Sequence, residues 1–431
     1  MRTLIRNARI VDPAVGRDER GDLALADGVV VAGGDGFTPD QVVDASGLVA
    51  TPGLVDLAVR LREPGHEHEG MLEAELAAAV AGGVTSVVCP PDMRPVLDEP
   101  GLVEMLKFRA RNLDLAHLYP LGALTRGLAG ESLTEMAELS EAGCIGFSQA
   151  DVAIRDTLVL HRSLQYAATF GYTVWLRPND AWLGNGVAAK GPLATRMGLS
   201  GIPTIAETIA LATIFELVRD TGARVHLCRL SSGAGVDMVR RAKAEGLPVS
   251  CDVNIHQLHL IDVDIGYFDS AMRLVPPLRQ QRDRDAIRAG LGDGTIDALV
   301  SDHTPVTGDA KHLPFAEAEP GATGLELLLG LALKWGRESG LDLAATLATV
   351  TSRPGRVLAR SARAEGRPEG LAAGAPADLC LFDAADSWQV DPSALTSRGR
   401  NTPFAGHELP GRVRCTYVAG RRVHDALGSP A

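Results

Sequence analysis

The sequence predicts an α/β protein: a (β/α)8 TIM-type barrel with a small β domain built from both chain ends. Three observations predict it. Eight short apolar runs, near 53–61, 85–90, 117–124, 144–148, 172–177, 224–230, 248–253 and 296–302, alternate with longer helical patterns, and eight parallel strands close such a barrel. The intervening patterns end as helices do: residues 237–246 have helical periodicity and finish on Gly246, and 73–80 run into Gly82-Gly83. Both chain ends read as short strands separated by turns.

Taken in order, residues 1–50 hold strand-like runs at 3–11, 23–25 and 29–31, punctuated by Asp27-Gly28 and Gly33-Gly34. Residues 51–350 hold the barrel. Residues 351–431 return to strand patterns at 377–382 and 412–423, so the two ends are expected to share one β domain. A chain of 431 residues accommodates a barrel of about 250 residues and such a second unit.

Composition excludes several classes of function. The apolar fraction of 45% and charged fraction of 22% are ordinary, and no apolar run approaches the roughly 20 residues of a membrane span. The start, Met1-Arg-Thr-Leu-Ile-Arg6, is followed by polar residues and has no apolar segment of a signal peptide. A formal charge of −12 disfavours nucleic acid and anionic lipid, which are polyanions. Six scattered cysteines without a CxxC pair read as small buried hydrophobes in a reducing cytoplasm, the expected location.

Function in such barrels sits where the strands end. The first strand runs Gly53-Leu-Val-Asp-Leu-Ala-Val-Arg-Leu-Arg62-Glu-Pro-Gly65. Alternate residues of a strand share a face, so Ala58 and Arg60 lie on one face near the end of this run. Alanine has no lone pair to give, and an arginine stays cationic and repels a metal.

The stretches 51–56, Leu61-Arg62-Glu-Pro-Gly65, 201–207, 240–246, Pro276-Pro-Leu-Arg279, Asp302-His303-x-Pro305 and 401–404 together resemble a dihydroorotase of the amidohydrolase superfamily, over nearly the whole chain. The resemblance implies zinc-dependent opening or closing of a cyclic amide, and strand-end positions for the ligands. At those positions stand Ala58, Arg60, Ala150 (in Phe147-Ser148-Gln149-Ala150), Leu176 or Arg177, and Arg229. Only Asp302 is retained, and one carboxylate cannot replace the three or more protein ligands of a catalytic zinc.

Substrate positions implied by the resemblance are altered too. Arg62 remains, whereas Asp92 and Val275 stand in place of asparagines and Val306 in place of a histidine. Arg60, Arg229 and Arg177 are expected to neutralise Asp302, and with it Asp92. His303 beside Asp302 reads as a structural hydrogen-bonding residue, with Asp302 and His303 vestigial and no catalytic residue expected. His66-Glu-His68 reads as a solvated loop and His256 and His259 as inherited positions, although either pair could hold a relocated metal. Glu207 and Glu326 read as caps or packing contacts, and Asp151 and Asp180 as displaced ligands without a histidine nearby.

Within the family this pattern is most like the noncatalytic dihydroorotase-like subunits that accompany aspartate carbamoyltransferase in pyrimidine biosynthesis. The expectation is an oligomeric pseudoenzyme without a cofactor, partnered by that enzyme. Two alternatives stay open: a divergent cyclic amidohydrolase using zinc on a reduced site, and a small-anion sensor using Arg62 and the new arginines.

Overall fold

The computed structural model describes residues 1–33, 36–362 and 370–428. The expected turn residue Gly34 therefore lies outside the described residues, as do parts of the 351–431 segment.

The eight apolar runs form the barrel strands Leu54–Asp56, Val84–Cys89, His117–Pro120 continuing as Gly122–Ala123, Phe147–Ser148, Thr173–Leu176, Arg224–Leu227, Val249–Asn254 and Ala298–Val300. Every inter-strand pairing among them is parallel. The ring closes beyond the first and last strands. There Val59 bridges His303, with His303 N donating to the Ala58 carbonyl (3.1 Å) and Arg60 N to that of His303 (2.8 Å). The first strand is shorter than its apolar run because the residues after Asp56 leave the ladder toward the mouth, and the fourth because its ladder begins only at Phe147.

Helices cover the outside, many stopped by a glycine in the left-handed conformation. Thr157–Phe170 ends on Gly171 (φ 68°) and Ile205–Thr221 on Gly222 (φ 68°), a geometry that costs a residue without Cβ nothing. Inside the ring, Val55, Leu57, Val88, Leu121, Trp175, Ala298 and Val300 form an apolar layer, sealed by Val357 and Leu358 of helix Ser352–Ser361.

Both chain ends enter one eight-stranded sheet. Val49–Pro52 joins them: it pairs parallel with Arg2–Asp12 on one side and antiparallel with Leu379–Gln389 on the other. The run at 412–423 is two strands rather than one. Glu408–Val418 and Arg421–Asp425 are folded into a hairpin at Ala419 (φ 48°) and Gly420 (φ 74°). Ile5, Ile10, Leu25, Leu379, Leu381 and Tyr417 make this domain's own core.

Candidate functional site

A cavity of about 350 Å³ opens at the carboxyl end of the barrel, lined by Arg60, Arg62, Asp92, Asp151, Arg177, His256, Val275 and Asp302 among others. Three arginines and three aspartates fill its floor. Arg60 Nε donates to Asp92 Oδ2 at 2.8 Å, its Nη2 to Asp151 Oδ2 at 2.8 Å and its Nη1 to Thr304 Oγ1 at 3.1 Å. Arg229 Nη2 donates to Asp151 Oδ1 at 2.6 Å and its Nη1 to Asp302 Oδ1 at 3.0 Å. Arg177 Nε lies 2.7 Å from Asp151 Oδ1. Asn254 Nδ2 completes Asp302, at 2.9 Å from its second oxygen.

The pairing differs from the sequence expectation in one respect. Asp302 is met by Arg229 and, at 3.8 Å, by Arg60, whereas Arg177 serves Asp151. Asp151 is the hub, touched by all three guanidiniums. Sequence reasoning set it aside because it looked for histidines near a carboxylate rather than arginines on neighbouring strands.

Left-handed backbone at the strand ends explains which residues face inward. Ala150 (φ 49°), Arg229 (φ 55°) and Asp302 (φ 51°) all adopt it. Ala150 packs with Ala123 and Leu128, and the turn it makes sends Asp151 into the mouth. Leu176 packs with the helices outside, so the fifth strand's contribution to the cavity is Arg177. Ala58 packs against the inner apolar layer, and Asp92 and Val275 line the cavity.

Beneath Arg229 lies a support that the sequence did not announce. Asp252 Oδ1 accepts from Arg229 N at 2.7 Å, fixing its unusual backbone, while Oδ2 stands 2.8 Å from His226 Nε2. His226 Nδ1 is 2.8 Å from Ser250 Oγ, so both ring nitrogens are engaged. Cys228 lies beside this pair, where burial pushes its thiol well above the ordinary value, and in this arrangement both nitrogens of His226 are engaged by Asp252 and Ser250. The signal was period-two spacing: His226 faces Ser250 across the ladder, and Asp252 follows on the same face.

Electrostatics follow the hub. Burial pushes the Asp151 carboxyl up, but Arg229, Arg60 and Arg177 together overcome it and hold it well below the ordinary value of 3.8. Asp302 behaves oppositely: burial raises it, and Arg229 and Arg60 do not fully compensate.

Arg62 lines the cavity, but its head group is already engaged. Its Nε donates to the Pro305 carbonyl at 2.8 Å and stands 2.9 Å from Glu69 Oε2, with Glu319 at 3.8 Å from Nη2. His303 is fully buried; Nε2 lies 2.9 Å from Glu75 Oε2 and Nδ1 accepts from Gly324 N at 3.2 Å, a structural arrangement. His256 is 1% exposed, stacks on Phe404, and has no hydrogen-bond partner at either nitrogen; burial lowers its pKa to about 3. His259 Nε2 donates to the Leu331 carbonyl at 3.0 Å. Glu207 takes four hydrogen bonds from Ser231 and Ser232, Glu326 accepts from Thr396 and Ser397, and Asp180 accepts from the amides of Trp182 and Leu183. Val306 is buried, its carbonyl accepting from Asn401.

The strand-end positions do not fit a catalytic zinc. Aliphatic and guanidinium groups occupy them, and Asp302 already has Arg229 and Asn254 on its two oxygens.

The barrel, the attached β domain and the position of this mouth define an amidohydrolase-type fold. Solved structures agree: L-hydantoinase from Arthrobacter aurescens superposes with a TM-score of 0.87 at 23% identity, covering 98% of this chain and 96% of its own. The Dihydro-orotase-like family model matches residues 47–234. A dihydroorotase-like protein of Pseudomonas aeruginosa is 45% identical over 98% of this chain and 99% of its own length. A protein named dihydroorotase from a Geobacter species is 38% identical over 99% of this chain and 100% of its own. The chain belongs to the dihydroorotase-like family. Among the described residues no helix is long and apolar enough to cross a membrane.

Proposed function

We propose that this chain is a noncatalytic dihydroorotase-like protein, acting as a structural or regulatory subunit for aspartate carbamoyltransferase. One observation carries the first half. The space where a metal would be held is filled by three guanidiniums and three carboxylates paired with one another. Such a group neither lowers the pKa of a water nor polarises a carbonyl as a metal would. Asp92, paired with Arg60, offers an anionic substrate no donor at the mouth, and Arg62 is held by a backbone carbonyl and by Glu69.

With the mouth so occupied, the work left to a well-formed barrel is done by its surface, and the carbamoyltransferase is the partner the family resemblance suggests. Relatives named dihydroorotase, 38% identical along the whole chain, favour a second reading, an active cyclic amidohydrolase.

The test is size-exclusion chromatography of the full chain with and without its host's aspartate carbamoyltransferase, with dihydroorotate hydrolysis assayed on the same fractions. Co-elution in fractions that hydrolyse nothing is the expected result. Hydrolysis abolished by Asp302→Ala would establish the second reading, and separate elution would remove the partner.

A further inference from the structure

The loop after the first barrel strand carries a cluster that the ion-paired mouth does not use. His66, His68 and Glu69 each offer one ligand atom, all within 4.8 Å of one another. His66 Nδ1 lies 3.7 Å from Glu69 Oε2, and His68 Nε2 lies 3.8 Å from Glu69 Oε1. Two ligands about 2.1 Å from one tetrahedral ion sit about 3.4 Å apart; the two histidine contacts, to different oxygens of Glu69, lie about 0.4 Å or less beyond that spacing, and no two of the three ligand atoms are farther apart than 4.8 Å.

A second observation points to an oxygen that Arg62 pairs with by charge but that receives no hydrogen bond. Glu69 is only 4% exposed, yet its Oε2 accepts no hydrogen bond. Arg62 Nε stands 2.9 Å away, but its N–H is directed to the Pro305 carbonyl. A buried carboxylate oxygen left without a donor is costly, and this one faces His66.

The loop is held in place. Gly65 has φ +98°, and a Cβ there would fall 2.1 Å from the Arg94 carbonyl oxygen, so the chain passes too close for any other residue. Glu63 accepts from Leu72 N at 2.7 Å and pairs with Arg109, while His66 N and Glu69 N donate to the carbonyls of Arg62 and His66 at 2.8 and 2.9 Å.

We propose that His66, His68 and Glu69 form a binding site for a divalent transition-metal ion, Zn²⁺ by its donor set, at the rim of the mouth and apart from the strand-end positions. Two imidazoles and a carboxylate are ligands zinc takes, with one coordination position left for water. The bound ion would add to Glu69 the directed contact that its Oε2 lacks, while the ion pair with Arg62 holds the carboxylate in place, as groups behind metal ligands do. The ion's role is to clamp residues 62–70 beside the mouth. This goes beyond the noncatalytic reading and does not depend on it: zinc bound at the rim without hydrolysis keeps both, and hydrolysis lost on Asp302→Ala removes only that reading.

The experiment is calorimetric titration of zinc chloride into the metal-free full chain, with Co²⁺ absorption as a second readout. Expected are one ion per chain, visible bands of a four-coordinate cobalt site, and affinity weakened at least about 10-fold in His66→Ala and in His68→Ala. Asp302→Asn should bind unchanged. His68 is largely exposed, so its removal leaves the fold intact, which circular dichroism of the metal-free variants checks. The proposal is overturned if no stoichiometric ion binds, if binding survives the His66→Ala/His68→Ala double change, or if Asp302→Asn abolishes it.

Discussion

Two layers of the barrel interior, one above the other on the same strands, are built from opposite chemistry. The lower is apolar, with Val55, Val88, Trp175 and Val300 packed around helix Ser352–Ser361. The upper is charged, with Arg60 and Arg229 8% and 5% exposed. Burying apolar surface stabilises by about 25 cal/mol per Å². Burying ions costs several kcal/mol each before pairing recovers it, so the upper layer contributes far less per atom while punishing any loss of balance. The contrast teaches that the mouth is stabilised by completeness: each charge is tolerable because every other one is present.

The largest effect that would test this contrast lies in the lower layer. Trp175→Ala should cost about 4 kcal/mol in urea unfolding, because a fully buried indole leaves a void that Val55 and Val300 cannot fill. In the upper layer, Asp151→Asn should cost about 2–3 kcal/mol despite its small change in volume, since it leaves three guanidiniums facing two carboxylates and Asp151 is one-third exposed. A cost below about 0.5 kcal/mol would show that water, not Asp151, solvates the arginines.

Replacing all six charges together sharpens the comparison. Arg60, Arg177 and Arg229 to Met with Asp92, Asp151 and Asp302 to Leu should give a barrel between unchanged and about 2 kcal/mol more stable. A loss beyond about 3 kcal/mol would mean the charges organise the strand ends, contrary to the contrast drawn above.

Acid gives the smallest effect. Because Asp151 is held below its ordinary 3.8, its stabilisation is fully present above that value and is lost as pH falls through the lower native value. Asp302, shifted upward, works in the opposite sense, losing its contribution as pH rises from 3.8 toward its native value. Thermal midpoints measured below about pH 4 should therefore fall less steeply in Asp151→Asn than in the parent chain.

The barrel was legible because its strands fall in short apolar runs separated by helical patterns, a local signal that survives without tertiary information. Arg60 and Arg229 were legible for the same reason, lying at readable positions on those strands. Asp151 and Arg177 were legible only in part, Arg177 as a partner for Asp302 and Asp151 as a displaced ligand; their pairing was not, since the direction of Asp151 is set by the left-handed turn at Ala150, which no side-chain periodicity encodes. The pairing of Arg62 with Glu319 joins positions over 250 residues apart in the chain, beyond the reach of spacing arguments. The cluster of His66, His68 and Glu69 was half visible: the histidines stand out, but the burial that distinguishes Glu69 from an ordinary loop acid exists only in the fold.

The strand Val49–Pro52 is flanked by a segment translated shortly before it, Arg2–Asp12, and by one translated long after it, Leu379–Gln389. At about 5–20 residues per second, its second edge waits on the order of half a minute before Leu379–Gln389 is translated. Through that interval a row of unpaired backbone amides and carbonyls is open to other nascent chains. The price of joining both termini in one sheet is thus a period of vulnerability during synthesis, and slower elongation across the barrel would lengthen it.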